Sequence, residues 1–107
     1  MALVDLCAAD ELWAGEMKDF EVGPYRVLLV NVDGTFHAYD GICPHQSARL
    51  AEGLLDGDTL VCHAHQWEFN LSTGRSVNPI GKCLRRFAVA VCDGRVLVGD
   101  RPLGGGA

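Results

Sequence analysis

The sequence of 107 residues predicts an all-β domain. Short runs rich in β-branched and aromatic residues recur along the chain, and turn dipeptides close them. The two clearest turns are Asp33-Gly34 and Asp93-Gly94, a pair of residues typical of a tight hairpin. Beyond a turn or two, no segment keeps the 3.6-residue apolar period of a helix. We therefore expect antiparallel sheets built from hairpins.

Six runs have the composition and length of strands. They are residues 25–32, 35–39, 59–62, 68–70, 84–91 and 95–98. The first two runs form a hairpin around Asp33-Gly34, and the last two form another around Cys92-Asp93-Gly94. Between these hairpins, Ser72-Thr73-Gly74 predicts a further turn. One helical turn is expected near residues 8–13.

The length and composition fit a single domain with one hydrophobic core. About half of the residues, 49%, are hydrophobic, which is enough for a chain of this size to bury most of its apolar surface. We expect the domain over residues 1–100. A flexible tail is expected over residues 101–107, because the chain ends in glycines with no apolar side chains to hold them.

The charge balance argues against two classes of partner. The net charge is -5, whereas nucleic acids and anionic membranes are bound by clustered Lys and Arg. No apolar run reaches the roughly 18 residues that a membrane span needs, and the first ten residues lack the pattern of a secretory signal. We expect a cytoplasmic monomer that binds no nucleic acid and no membrane, and whose partners are proteins with basic patches.

The five cysteines are an odd number in a chain without an export signal, so a disulfide framework is not expected. Metal binding and burial must account for them. Cys7, Cys83 and Cys92 have no histidine at ligand spacing, and we expect them to pack in the core.

Two short pairs of metal-ligand residues stand out. They are Cys43-Pro44-His45 and Cys62-His63-Ala64-His65, with 16 residues between His45 and Cys62. Two thiolates and two imidazoles can form a tetrahedral zinc site or hold a [2Fe–2S] cluster in which the cysteines bind one iron and the histidines the other. In zinc fingers cysteines usually pair with cysteines, whereas here each pair contains one of each residue type. This arrangement favours two irons over one zinc.

The spacing C-x-H, 16 residues, C-x-x-H resembles that of the Rieske family. The proline at position 44 and the run Gln66-Trp67-Glu68-Phe69-Asn70 add to the resemblance. It implies one Rieske-type [2Fe–2S] cluster and a three-sheet antiparallel sandwich with a cluster-binding subdomain. By this resemblance the ligands are Cys43, His45, Cys62 and His65.

Within the family, Cys-Pro-His-Gln at 43–46 and the N-terminal Trp13-Ala14-Gly15-Glu16-Met17 resemble the ferredoxins of toluene-4-monooxygenase-type diiron systems. That resemblance implies an electron carrier, not an enzyme, in aromatic hydrocarbon catabolism. It would take single electrons from an NADH-dependent flavin reductase and pass them to a hydroxylase. The alternatives are a ferredoxin of an aromatic-ring dioxygenase, the small subunit of a nitrite reductase, and a regulatory docking module of the hydroxylase.

The resemblance also predicts the reduction potential and a docking surface. High-potential Rieske proteins join their two cluster loops by a disulfide, and this chain has Ala48 and Ala64 at those positions. They also place two hydroxyl donors near the cluster, where this chain has Trp67 and Phe69. Without those donors we expect a potential near the low end of the Rieske range, about -150 mV. Gln46 and Trp67 are candidates for partner docking.

Overall fold

The computed structural model describes residues 2–42, 49–62, 67–78 and 84–103. These residues form antiparallel sheets, which confirms the all-β prediction. The strands are β1 Leu3–Ala8, β2 Met17–Val22, β3 Tyr25–Val32, β4 Thr35–Asp40, β5 Leu54–Asp56, β6 Thr59–Val61, β7 Glu68–Asn70, β8 Arg75–Asn78, β9 Arg86–Phe87, β10 Val89–Cys92 and β11 Arg95–Gly99. Two 3-10 turns, Ala9–Glu11 and Leu50–Glu52, complete the described elements. Neither turn has the length and hydrophobicity that a membrane-crossing helix requires.

The strands form three sheets, as predicted. The first sheet has the order β1-β11-β10, the second β2-β3-β4-β9 and the third β5-β6-β7-β8. The third sheet is a meander of short strands, and the first joins the two ends of the chain. The second sheet contains the longest strands, which makes it the framework on which the other two pack.

Both predicted hairpins are present. In the β3–β4 turn, φ is 53° at Asp33 and 92° at Gly34, and in the β10–β11 turn it is 52° at Asp93 and 75° at Gly94. Positive φ at both central residues matches the right-handed twist of the flanking strands, and Asp-Gly tolerates it better than most pairs.

One predicted strand is divided in the structure. Residues 84–91 were expected to be continuous, but β9 pairs with β4 in the second sheet, whereas β10 pairs with β11 in the first. The chain crosses between sheets at Ala88, whose carbonyl accepts a hydrogen bond of 2.9 Å from the amide of Gly99. The predicted helical turn is also shorter, since it is limited to Ala9–Glu11.

The predicted tail begins at residue 101, and the described part of it lies against the domain. The amide of Leu103 donates a 2.7 Å hydrogen bond to the carbonyl of Arg86 in β9. Residues 104–107 lie outside the described residues, so the boundary at residue 100 stays a prediction.

Strand β3 has a hydrophobic core on each side, so the expectation of one core is wrong. Val27 and Leu29 face one core with side chains of the first sheet, and Leu28 and Val30 face the other with side chains of the third sheet. All four are fully buried. Because successive side chains of a strand point to opposite faces, this burial makes the second sheet the middle layer of the molecule.

Tyr39 in β4 connects the second and third sheets. Its ring is fully buried, and its hydroxyl donates a 2.6 Å hydrogen bond to the carbonyl of Leu71, just after β7. Gly74 lies so close that an added Cβ would be 2.9 Å from the ring. Tyr39 therefore fixes the distance between the two layers.

We expect Tyr39→Phe to lower the free energy of unfolding by about 1–3 kcal/mol, because it leaves the buried Leu71 carbonyl without its donor. Urea titrations followed by far-ultraviolet circular dichroism will measure the change. Tyr25→Phe is the control, since Tyr25 is only partly buried, with its ring edge-on to Phe87. Equal stability of the two variants would contradict the role assigned to the Tyr39 hydroxyl.

Candidate metal centre

Three internal segments lie outside the described residues, and two of them contain the predicted ligands. They are residues 43–48, 63–66 and 79–83, here called the first, second and third segments. We call the two residues that flank a segment its root. The roots are Ile42 and Arg49, Cys62 and Trp67, and Asn78 and Leu84.

Backbone hydrogen bonds close the first two roots. Ile42 and Arg49 form an antiparallel bridge, and next to it the amide of Leu50 donates to the carbonyl of Gly41 at 2.8 Å. The amide of Cys62 donates to the carbonyl of Trp67 at 2.7 Å. The chain therefore leaves and returns at nearly the same place in both cases.

These two roots are packed directly against each other. Gly53 follows the first root by four residues, and a Cβ added there would overlap the carbonyl oxygen of Val61, the residue before Cys62. Gly53 also donates its amide to the carbonyl of Leu50 at 3.0 Å. Only glycine allows the backbones on the two sides to come this close.

One side of the third root, Asn78, lies at the same end of the molecule. In β7 and β8, Glu68 is paired with Asn78, so Asn78 lies beside the end of the second segment. Asp40 and Arg85 connect the third root with the first, because the amide of Asp40 donates to the carbonyl of Arg85 at 2.8 Å. Strand ends of the second and third sheets thus bring together the first root, the second root and Asn78, whereas the amide of Leu84 donates to the carbonyl of Gly74 at 2.7 Å in the β7–β8 turn.

Cys62 is the one predicted ligand within the described residues. It follows β6 and is fully buried in the core cluster that contains Leu60 and Phe69. Trp67 is partly buried and packs against the same cluster, with its ring centroid 6.4 Å from that of Phe69. A thiol in a dry, rigid position at the base of a segment is suited to bind a soft metal centre.

The other predicted site residues lie outside the described residues. Cys43, His45 and Gln46 belong to the first segment, and His65 belongs to the second. The structure therefore brings together the roots of the segments that contain these ligands. In the described part of the chain, no group of three or more His, Cys, Asp and Glu side chains is placed to hold a metal ion.

The remaining cysteines differ from one another. Cys7 is buried in the core between the first and second sheets, as expected, and burial raises the pKa of its thiol. The expectation that Cys92 packs in the core is wrong, because its side chain is exposed at the end of β10. A residue next to a tight turn projects from the body of the sheet, and its position, not its residue type, determines exposure. Cys83 lies outside the described residues.

A groove of about 670 Å³ lies elsewhere in the molecule. It is lined by the β3–β4 turn, the β5–β6 turn and the residues before β2, including Asp33, Asp58 and Gly15. These turns are at the strand ends opposite to the first two roots. The groove is therefore separate from the candidate metal centre.

A protein-family model for the Rieske [2Fe-2S] domain matches residues 2–88. The chain belongs to this family. The Rieske chain is 54% identical over 101 residues to the "Alkene monooxygenase system, ferredoxin component" of Xanthobacter autotrophicus (strain ATCC BAA-1158 / Py2), covering 94% of this chain and 83% of that protein. It is 38% identical over 99 residues to the "Biphenyl 2,3-dioxygenase, ferredoxin component" of Rhodococcus jostii (strain RHA1), covering 92% of each.

Solved structures agree with this assignment. A chain from the "Complex of reduced oxygenase and oxidized ferredoxin in carbazole 1,9a-dioxygenase" superposes with a TM-score of 0.87 at 32% identity, covering 94% of this Rieske chain and 95% of that one. A putative NADH-dependent nitrite reductase small subunit from Mycobacterium tuberculosis shares the fold, with a TM-score of 0.79 at 21% identity over 91% of this chain and 93% of that one.

These findings confirm several predictions. The chain has the Rieske fold and carries one Rieske-type [2Fe–2S] cluster. The two relatives named above are ferredoxin components of oxygenase systems, and the protein is likewise an electron carrier and not the enzyme of such a system. The root geometry fits the cluster, because a buried cysteine and the bases of two segments with Cys and His meet at one end of the molecule.

Proposed function

We propose that this ferredoxin transfers single electrons from an NADH-dependent flavin reductase to the hydroxylase of a multicomponent hydrocarbon monooxygenase with a diiron centre. The observation that favours a monooxygenase is the 54% identity to an alkene monooxygenase ferredoxin over 94% of the chain. The identity to the biphenyl dioxygenase ferredoxin is lower, at 38%. We further propose that it acts as a monomer in the cytoplasm, with a domain over residues 1–100 followed by a C-terminal tail over residues 101–107.

The proposed cluster ligands are Cys43, His45, Cys62 and His65. Their spacing and the burial of Cys62 support the assignment. When bound, the cluster supplies one reversible electron at a potential set by its ligands and surroundings. The described residues would shield the inner side of the cluster from water, and backbone hydrogen bonds hold the first two roots in place. An environment that moves little when the charge changes favours fast electron transfer.

The net charge of -5 supports a protein partner with a basic docking surface. Opposite charges on the two partners speed up their encounter and align them, and this effect weakens as salt is added. We propose that each partner approaches the end of the molecule where the first two roots meet, because the proposed cluster ligands lie in or beside the segments that these roots flank.

The second candidate is a ferredoxin of an aromatic-ring dioxygenase. It is favoured by the superposition with the carbazole dioxygenase complex at 32% identity and by the biphenyl dioxygenase relative. A nitrite reductase subunit is supported only by the shared fold at 21% identity. The hypothesis of a regulatory module of the hydroxylase is compatible with electron transfer and needs a separate test.

Reconstitution decides between these partners. The reduced ferredoxin is mixed in a stopped-flow instrument with a diiron alkene or arene hydroxylase, and separately with a ring-hydroxylating dioxygenase. We expect rapid cluster reoxidation and product formation with the diiron hydroxylase only. Turnover with the dioxygenase alone would overturn the monooxygenase proposal. If a redox-inert form of the protein stimulates a chemically reduced hydroxylase, the regulatory role is supported.

Trp67 and Gln46 are the proposed docking residues. The structure places Trp67 partly in the core, so Trp67→Ala would remove packing as well as a contact. We expect Trp67→Phe, which keeps a ring at this position, to slow electron transfer to the hydroxylase about tenfold while the visible spectrum stays unchanged. Single-turnover stopped-flow kinetics measure this rate.

Trp13→Phe is the matched control for that experiment. Trp13 is 71% exposed, and it lies in the loop before β2, at the strand ends opposite to the roots. A docking surface at the roots predicts no change in rate for this variant. If Trp67→Phe transfers electrons as fast as the Trp13 variant does, Trp67 is not a docking residue.

A further inference from the structure

Asp19 in β2 holds the root of the first segment through Arg49. Arg49 donates from Nε to Oδ2 and from Nη2 to Oδ1 of Asp19, both at 2.9 Å. The Asp19 side chain is only 7% exposed, and Nη1 of Arg26 lies 3.6 Å from its Oδ2. Such a fork-to-fork contact fixes orientation as well as distance.

The same aspartate is connected to the other side of this root. The carbonyl of Arg26 accepts a 2.7 Å hydrogen bond from the amide of Gly41, one residue before Ile42. Asp19 thus contacts Arg49, which follows the first segment, and Arg26, which is bonded to Gly41 before that segment. Strands β2 and β3 therefore support the root on both sides.

Asp40 has the corresponding role between the first and third roots. Arg85, which follows Leu84, donates to Oδ2 of Asp40 from Nη2 at 2.5 Å and from Nε at 3.0 Å. The other carboxylate oxygen accepts the amide of Ile42 at 3.2 Å. One side chain therefore links the start of the first segment with the end of the third.

We propose that Asp19 and Asp40 are positioning residues for the cluster, which hold the roots of the first and third segments through Arg49 and Arg85. This inference rests on the proposed ligands Cys43 and His45. Neither aspartate is itself a ligand. By fixing the two sides of the ligand-bearing segment on the rigid second sheet, they keep the ligand geometry the same in both oxidation states.

The ionisation of Asp19 agrees with this role. The hydrogen bonds from Arg49 hold the pKa of the Asp19 carboxyl below its usual value. The carboxylate is therefore charged throughout the neutral range, and the contact does not depend on pH there. A guanidinium is required for the paired hydrogen bonds, since an ammonium group cannot make both in the same plane.

An ion pair elsewhere in the chain provides a matched control. Asp5 in β1 accepts hydrogen bonds from Arg95 in β11, with Nη2 to Oδ1 at 2.8 Å and Nε to Oδ2 at 3.1 Å. It has the same paired geometry, but it lies in the first sheet, away from the three roots. The Asp5 side chain is 47% exposed, so removing it tests what the loss of a paired Arg–Asp contact does at a more exposed position.

The test compares Asp19→Asn, Asp40→Asn and Asp5→Asn as purified holoproteins. Loss of visible absorbance in excess iron chelator measures cluster release, and the reduction potential and electron paramagnetic resonance spectrum report the ligand geometry. We expect release about five- to tenfold faster in the first two variants, with a shifted potential and broadened resonance lines. Asp5→Asn should match the wild type in all three measurements.

Equal behaviour of the three variants would overturn the inference. If Asp19→Asn does not fold, Arg49→Lys decides, because it keeps the charge and loses the paired hydrogen bonds. Wild-type release rates in the lysine variant would also refute the role. Failure of the ligand assignment gives a different result, since a cluster would then persist in a variant that lacks Cys43.

Discussion

We expect the Cys62→Ala variant to be purified without iron or acid-labile sulfide and without a resonance signal after dithionite reduction. Cys62 is fully buried at the second root and is the proposed ligand that the structure describes. Removing a residue that hydrogen-bonds to a metal ligand already costs about 10–100-fold in metal affinity. Loss of the ligand itself should exceed this range. Alanine leaves no oxygen that could replace the thiolate.

Cys7→Ala is the control for this variant. Cys7 is also a buried cysteine, but it packs in the core cluster on the other side of the second sheet. It should lose some stability through the small cavity and keep two irons and two sulfides. Retention of the cluster in Cys62→Ala, or its loss in Cys7→Ala, would contradict the ligand assignment.

We expect Gly53→Ala to give the second-largest effect. A Cβ at this position would overlap the Val61 carbonyl oxygen, and it would lie 3.2 Å from the Val61 carbonyl carbon and 3.3 Å from the Leu50 carbonyl oxygen. These neighbours are backbone atoms, which cannot rotate away. The first two roots must separate, and we expect the free energy of unfolding to fall by about 3 kcal/mol. Cluster release should accelerate as well.

Gly57→Ala separates this steric effect from the general cost of replacing a glycine. Gly57 has a φ of +62° and no atom within 4 Å of an added Cβ. Gly57 lies in the β5–β6 turn, at the strand ends opposite to the first two roots. Its replacement by alanine costs about 1–2 kcal/mol of backbone strain. Denaturant titrations and chelator-driven cluster release should both rank Gly53→Ala as the more severe. The same release rate in both variants would contradict the packing of the two roots.

The sequence predicts the hairpins because their signals are local. An Asp-Gly pair between two β-branched runs determines the turn and the register together. Strands β1 and β2 have weaker signals, since charged residues such as Asp5, Lys18 and Glu21 alternate with their apolar ones. These strands lie at sheet edges and gain their structure from long-range pairing. The change of sheet at Ala88 has no local signal at all.

The proposed ligand residues stand out in the sequence for a related reason. Each pair of ligands lies within a few residues in the chain, and their chemistry restricts the choice of cofactor. The contacts that support the roots connect distant positions, since Asp19 and Arg49 are 30 positions apart in the sequence and Asp40 and Arg85 are 45 positions apart. An aspartate in a strand is indistinguishable from any solvated charge until its partner is known. The tertiary structure was needed to find them.

The pairing of β1 with β11 has a practical consequence for engineering. The amide of Asp100 donates to the carbonyl of Ala2 at 2.9 Å, so positions 2 and 100 are neighbours. They belong to the layer separated from Cys62 by the whole middle sheet. A short linker could join positions 2 and 100 in a circular permutant that is opened at Asp93-Gly94. A protein fused in this layer would leave the proposed docking end, at the first two roots, accessible.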